Sequence, residues 1–431
     1  MMCRTLATLV GSGTHDGNPI SMVKPPAVES IHASIAPADT LLAERRALYS
    51  LAVELLCPDM GDSEVADEVL DSPLVRFHIG EALAGRADIT LGELTACLEA
   101  PGTTRSAHGL PVIADARAHE PLAPLLRTIE TQPGLRLLTD GPRFEQAYSI
   151  VEQGVLLALK VSPGLIEDLL AHVNLFAVLD PDTSHGLASA SSRWFPGIVL
   201  IDAPATPIEV AEGLVHEAAH QKFFDFAITR QFLGAKSDTA EQFVTSWSKK
   251  SWPMEQTVAA WHAYSLMYRF AMDAGVAEGH CEVSAASLLP KAGERAAEIG
   301  NWLVAHAEYL ENDARTLLAG LLETVEPLGF SSTRSTQAIT GRLRLAPDVR
   351  VAARKQRGQR IVVATASIPP ELYWVDPDAA DSLQLIKDEA DGLEVDDLVD
   401  RLAAQWGVVP EFARPRVSTG LQALLDAALI H

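Results

Sequence analysis

The residues best equipped for chemistry are two histidines, His216 and His220, in the run Leu214-Val-His-Glu-Ala-Ala-His220. At about 100° per residue they lie about 40° apart around a helix, so both imidazoles can reach one metal ion. Glu217 between them is the type of residue that activates water in hydrolases built on this spacing. A third ligand must come from elsewhere. A glycine three residues after His220 and a histidine three further would extend the motif, but Phe223 and Phe226 occupy those places. A glutamate on a following helix would be Glu241 or Glu255. A helix expected from Pro253 to about Met272 carries Glu255, His262 and Arg269 seven residues apart, a drift of only about 20° per step, so they share a face. That spacing makes His262 the leading third ligand. Arg269, two turns on, offers a fork for a carboxylate beside the metal.

A cation aimed at a metal raises the electrostatic cost of binding a dication, which is odd for a peptidase. It suits a non-heme iron oxygenase, where 2-oxoglutarate chelates the iron and its distal carboxylate needs Arg or Lys. This chemistry favours iron over zinc, although histidine sites also hold zinc.

The elements that must position these groups read as mostly helical. A helix starting at Pro207, with Thr206 before it and Glu209 following, carries the histidine pair. Ahead of it, helical periodicity marks Thr40–Leu56, 62–70, 74–84, 91–99, Gln146–Leu159 and Pro163–His172. Six prolines between 101 and 142 predict short helices there. Leu175–Leu179 and Gly197–Ile201 are expected strands, and the Ser-rich stretch Ser184–Phe195 between them is expected to be a loop. One or two helices should fill 283–328.

The last hundred residues change character. Short strands are expected around 343–347, 349–352, 361–366 and 372–375, then helices at about 377–386, 395–406 and 415–428. The fold class is therefore a mainly α catalytic region with a few short strands, plus a C-terminal α+β winged-helix-like domain. The expected divisions are a flexible arm (1–38), a helical N-terminal region (39–145), the metal-binding catalytic domain (146–330) and the C-terminal domain (340–431).

Composition narrows the class of function. With 57 acidic against 34 basic residues the net charge is −23, which disfavours nucleic acid and anionic lipid as partners. Hydrophobic residues make up 48%, enough for a sizeable core, yet no apolar run approaches the ~20 residues that span a bilayer. The first ten residues make a poor signal peptide. Four scattered cysteines with no CxxC pair suit reduced thiols. Together these predict a cytoplasmic protein.

The segment His216–His220, with Trp252-Pro253, His262 and Arg269 after it and Phe195-Pro-Gly-Ile-Val-Leu before it, resembles the HExxH-type 2-oxoglutarate-dependent peptide β-hydroxylases. These modify ribosomally made precursor peptides. The resemblance covers about residues 145–330; Trp252-Pro253 replaces the family's commoner Arg-Pro. It implies iron(II) held by His216, His220 and His262, with Arg269 binding 2-oxoglutarate. Glu217 would then orient a ligand or water.

The C-terminal hundred residues resemble a second group. Their strands, the turn Leu372-Tyr-Trp-Val-Asp-Pro-Asp into a helix, and the final amphipathic helix are similar to PqqD-like precursor-peptide recognition elements. This implies that the leader peptide adds as a strand along Leu372, Tyr373, Trp374 and Val375, against a helical wall that includes Leu421 and Leu425. The basic residues Arg350, Arg354, Lys355, Arg357 and Arg360 could meet acidic leader residues.

The expected function is thus iron(II)/2-oxoglutarate-dependent β-hydroxylation of a core-peptide residue, with leader and core of the precursor as partner. A zinc peptidase using His216, His220 and Glu255 or Glu241, with Glu217 as base, is the alternative. A catalytically inactive delivery protein is the second. The peptide, the residue modified and the oligomeric state, a homodimer included, are not legible in the sequence.

Overall fold

The computed structural model describes residues 37–431 apart from 58–64, 100–101, 131, 231, 234–236, 238–239, 323–338, 348, 357–358, 368–369, 376, 390 and 427–428. The expected N-terminal arm and the expected boundary stretch at 331–340 therefore lie almost wholly outside the described residues.

The chain opens with helices α1 (Ala38–Leu56), α2 (Asp67–Asp71), α3 (Pro73–Leu83) and α4 (Leu91–Glu99). Then follow β1 (Thr103–Arg105), β2 (Pro111–Ile113), α5 (His119–Ile129), α6 (Gly141–Val161) and α7 (Pro163–Leu170). The next elements are β3 (Leu175–Leu179), the single turn α8 (Pro181–Ser184), β4 (Ser189–Ala190) and β5 (Ile198–Asp202). The long helix α9 (Pro207–Thr229) is followed by a hairpin of β6 (Phe243–Val244) and β7 (Ser251–Trp252), then α10 (Met254–Asp273), α11 (Ala292–Ala305) and α12 (Asn312–Leu321). The protein is mainly helical with a few short strands, as the sequence predicts.

One five-stranded sheet, in the order β1-β2-β3-β5-β4, backs the histidine helix. The pairs β2–β3 and β3–β5 are parallel, and every residue of β3 is buried, as expected for a strand covered on both faces. This corrects two expectations. The proline-broken stretch before 145 contributes two strands besides the helix α5. No core boundary falls at 145 either, because Val112 of β2 pairs with Phe176 of β3 and shares a core with α6 and α9.

Helix α9 lies at the centre of that core. Seventeen of its 23 residues are buried, so it is covered on every side and has no solvent stripe. A Cβ at Gly154 of α6 would come 2.3 Å from the Val210 Cβ, so only glycine lets these two helices cross so closely. The amide of Gln221 locks α9 to the sheet: its oxygen accepts from Gly197 N at 2.6 Å and its nitrogen donates to Ile198 O at 3.0 Å.

The C-terminal half of α9 is fixed by buried charges. Asp225 Oδ2 accepts from Arg45 Nη1 of α1 and from His172 Nδ1, each at 2.6 Å. Arg45 also pairs with Asp71 at 2.6 Å, and the fully buried Lys222 pairs with Asp168 of α7 at 2.5 Å. Arg45 Nε and His172 Nε2 find no partner among the described residues.

The C-terminal elements are β8 (Arg342–Leu343), β9 (Arg350–Gln356), β10 (Gln359–Ser367), β11 (Pro370–Val375), α13 (Pro377–Lys387), β12 (Leu393–Glu394), α14 (Val395–Trp406) and α15 (Pro410–Asp426). Strands β9, β10 and β11 form an antiparallel meander with β11 at one edge, followed by three helices. This matches the expected strands-then-helices order. The region has its own core, including Leu383, Leu398, Leu402, Val417 and Leu421. Helix α15 starts five residues before the expected position. Pro415 removes one backbone bond inside it without ending it, since Ala413, Val417 and Leu421 anchor the same face.

Candidate metal centre

His216, Glu217 and His220 come together in the buried middle of α9, the one group among the described residues whose His, Cys, Asp or Glu ligand atoms lie within 4.8 Å of one another. The Nε2 atoms of His216 and His220 are 3.3 Å apart. Two imidazole nitrogens about 2.1 Å from one ion, at an angle of about 100°, would be about 3.2 Å apart. The pair therefore fits a shared metal ion with little movement.

The protonation of the pair is set by its surroundings. His216 Nδ1 lies 3.0 Å from the sulfur of Met267 on α10. A thioether only accepts, so that contact keeps the proton on Nδ1 and leaves the Nε2 lone pair facing His220. Burial, with the neighbouring His216 adding to it, pushes His220 well below the ordinary histidine range and keeps it neutral, as a ligand must be.

Glu217 is 3% exposed, and both of its oxygens are engaged. Oε1 accepts from Ser189 Oγ and Oε2 from Ser191 Oγ, each at 2.6 Å. Its Oε1 also stands 4.0 Å from His216 Nε2. The serines hold the carboxylate in one orientation at the edge of the metal position.

A cavity of about 60 Å³ opens beside the pair, lined by Ser191, Arg193, Glu217, His220, Phe224 and Glu255 among others. That is room for an ion and a few waters. Arg193 Nη1 donates to both oxygens of Glu255, at 2.7 and 2.9 Å, and the guanidinium lies 5.0 Å from the Trp194 ring.

The structure separates His262 and Arg269 from this centre. His262 Nδ1 donates to the Ala219 carbonyl at 3.2 Å, and its ring packs against Phe223 and Phe226. It seals α10 onto α9 and does not join the histidine pair. The physical reason is rotation about α10. Met267 and Tyr264 face His216, and five residues from His262 to Met267 turn the helix by about 140°. Arg269, on the same stripe as His262, donates to Asp273 at 3.0 and 3.1 Å, next to Ser162 at the end of α6. The heptad spacing is real, but along that stripe only Glu255 reaches the pocket beside the metal position.

Of the glutamates considered as ligands, Glu255 reaches the pocket and Glu241 does not; the Glu241 side chain is 81% exposed, beside His306. Leu372 to Val375 form the edge strand β11, with Tyr373 opposite Ala364 of β10. The side chains of Leu372, Tyr373 and Trp374 lie outside the described ones. Leu421 is fully buried under α13 and α14, and Leu425 is partly buried, so Leu421 belongs to the core and offers no surface to a peptide. Arg350, Arg354, Lys355 and Arg360 lie in β9 and β10, and Arg357 lies outside the described residues.

Sequence reasoning missed Ser189, Ser191 and Arg193, treating their stretch as a loop. The spacing of two between Ser189 and Ser191 held a signal, since alternate side chains of an extended segment point the same way, whereas Arg193 follows in a turn. Met267 carried no signal of its own.

No family model matches this chain, and no curated protein matches it. Among the described residues no helix is long and apolar enough to cross a membrane.

Proposed function

We propose that this chain is an iron(II)- and 2-oxoglutarate-dependent hydroxylase of a ribosomally made precursor peptide, with its C-terminal α+β region taking up the leader. The observation that carries the reading is Glu217. Both of its oxygens accept serine hydroxyl protons, which fixes the carboxylate in the positioning role this reading gives it, beside a histidine pair that is competent to hold a metal.

In this reading His216 and His220 hold the ion, Met267 fixes the tautomer of His216, and Glu217 is a positioning residue. Bound iron, with 2-oxoglutarate and oxygen, supplies the oxidation: one oxygen atom enters succinate as carbon dioxide leaves, and the other enters a Cβ–H bond. The edge of β11 offers backbone donors and acceptors for a leader strand, and a tethered core peptide then needs little affinity of its own for the pocket.

The test is to add iron(II), then 2-oxoglutarate, to metal-free protein without oxygen. A visible charge-transfer band, followed by succinate on admitting air, is the expected result. Tightly held zinc with neither band nor succinate overturns the reading in favour of a zinc peptidase. That second reading draws on Glu255, which lines the same pocket. Glu217→Gln separates the two: a peptidase loses nearly all turnover, whereas the hydroxylase keeps its reaction.

A further inference from the structure

Arg193 is the one arginine or lysine among the described residues that line the pocket. It stands in the turn that follows Ser191, whose hydroxyl holds Glu217, and its side chain lines the pocket together with Glu217 and His220. Its guanidinium rests near the Trp194 ring and grips both oxygens of Glu255. The guanidinium fork thus already holds a carboxylate, both oxygens of which share the one nitrogen Nη1.

That internal carboxylate is exchangeable. The Arg193 and Glu255 side chains are 35% and 40% exposed, and a pair so open to water gains little from its own attraction. An incoming carboxylate would replace like with like at Arg193. Glu255 would not be stranded, because it sits in the first turn of α10, where the helix N-terminus supports negative charge. By contrast Arg269 is committed to Asp273 away from the pocket.

Resting on the hydroxylase reading, we infer that Arg193 is the carboxylate-binding residue of this pocket. It takes the far carboxylate of a short 2-oxo dicarboxylic acid whose 2-oxo acid end faces the histidine pair. Glu255 occupies that fork until the ligand arrives, and so competes with it.

The experiment uses full-length protein loaded with iron(II) in the absence of oxygen. It is titrated with 2-oxoglutarate and, separately, with 2-oxovalerate, which has the same carbon chain without the second carboxylate. The wild type should prefer 2-oxoglutarate by roughly ten- to a hundredfold, the scale of a charged hydrogen-bonded contact. Arg193→Gln should abolish that preference while leaving 2-oxovalerate and iron affinity unchanged, and Arg193→Lys should restore part of it. Glu255→Gln should tighten 2-oxoglutarate several-fold, and Arg269→Ala should change nothing. The inference is overturned if Arg193→Gln keeps the preference or if the wild type has none. It is equally overturned if Glu255→Gln loses iron, which would make Glu255 a ligand. Succinate formation in air is scored separately. A preference that depends on Arg193 without succinate rejects the hydroxylase and keeps the fork; succinate with a preference indifferent to Arg193 does the reverse.

Discussion

Two neighbouring stretches of α9 are both buried and both polar, yet they are built for opposite ends. Around Lys222 and Asp225 each charge meets an opposite charge: Asp225 takes Arg45, with the His172 N–H donating to it as well, and Lys222 takes Asp168. One turn earlier, around His216 and His220, the side chains are placed so that two Nε2 atoms face each other across 3.3 Å. Buried polar residues that pair charge with charge hold a fold together, while those whose nitrogens converge on a common point make a binding site. Burial alone does not distinguish them.

The largest expected effect breaks this comparison if it fails. Asp225→Ala leaves Arg45 and His172 buried without their shared carboxylate and should cost about 3–5 kcal/mol of stability, read by chemical denaturation. His220→Ala should abolish metal binding while costing the apo fold much less. Equal losses of stability would mean that both halves are scaffold.

A smaller effect sharpens the metal side. Met267→Leu preserves volume but removes the acceptor that fixes the His216 tautomer. Metal affinity should fall by roughly ten- to a hundredfold, with stability changed by less than about 1.5 kcal/mol. Competition with a chelator of known affinity measures the first and thermal unfolding the second.

The smallest effect is the pH dependence of the charged half. Burial would raise the Asp225 carboxyl, but Arg45 and then His172 outweigh it and hold the group down at about 2. In the unfolded chain it titrates near 3.9. As pH falls the unfolded state takes up the proton first, so this contribution is complete above about pH 4 and is lost towards pH 2. Burial also holds His172 below its ordinary value, despite the opposing pull of Asp225. That adds a loss of the same sign, beginning as pH falls through about 6.5. Urea unfolding at a series of pH values should show both losses, with the lower one reduced in Asp225→Asn.

Much of this was legible in the residues. The histidine helix, the two parallel strands before it and the strands-then-helices order at the C-terminus all follow from periodicity and punctuation. The metal pair followed from spacing alone, because four residues on a helix fix the angle between two side chains. What could not be read was which face α10 turns to α9. His262 and Arg269 were assigned from their shared stripe, but a stripe has no address until the neighbouring helix is placed. The two strands before 145 were hidden because three-residue strands among prolines have no periodicity to detect.

The distances along the chain between partners differ as much as their chemistry. Ser189 and Ser191 are 28 and 26 residues from Glu217, whereas Arg45 is 180 from Asp225. Loop closure costs more as the logarithm of length, so joining Arg45 to Asp225 is harder by about 1.7 kcal/mol of chain entropy. During folding, the serine grip on Glu217 can form within a segment that runs only from β4 into α9. The Arg45 contact must wait for α1 to find a helix far along the chain. Refolding should therefore organise the Glu217 pocket before the clasp that secures it, so the half of α9 that does chemistry takes shape ahead of the half that only holds.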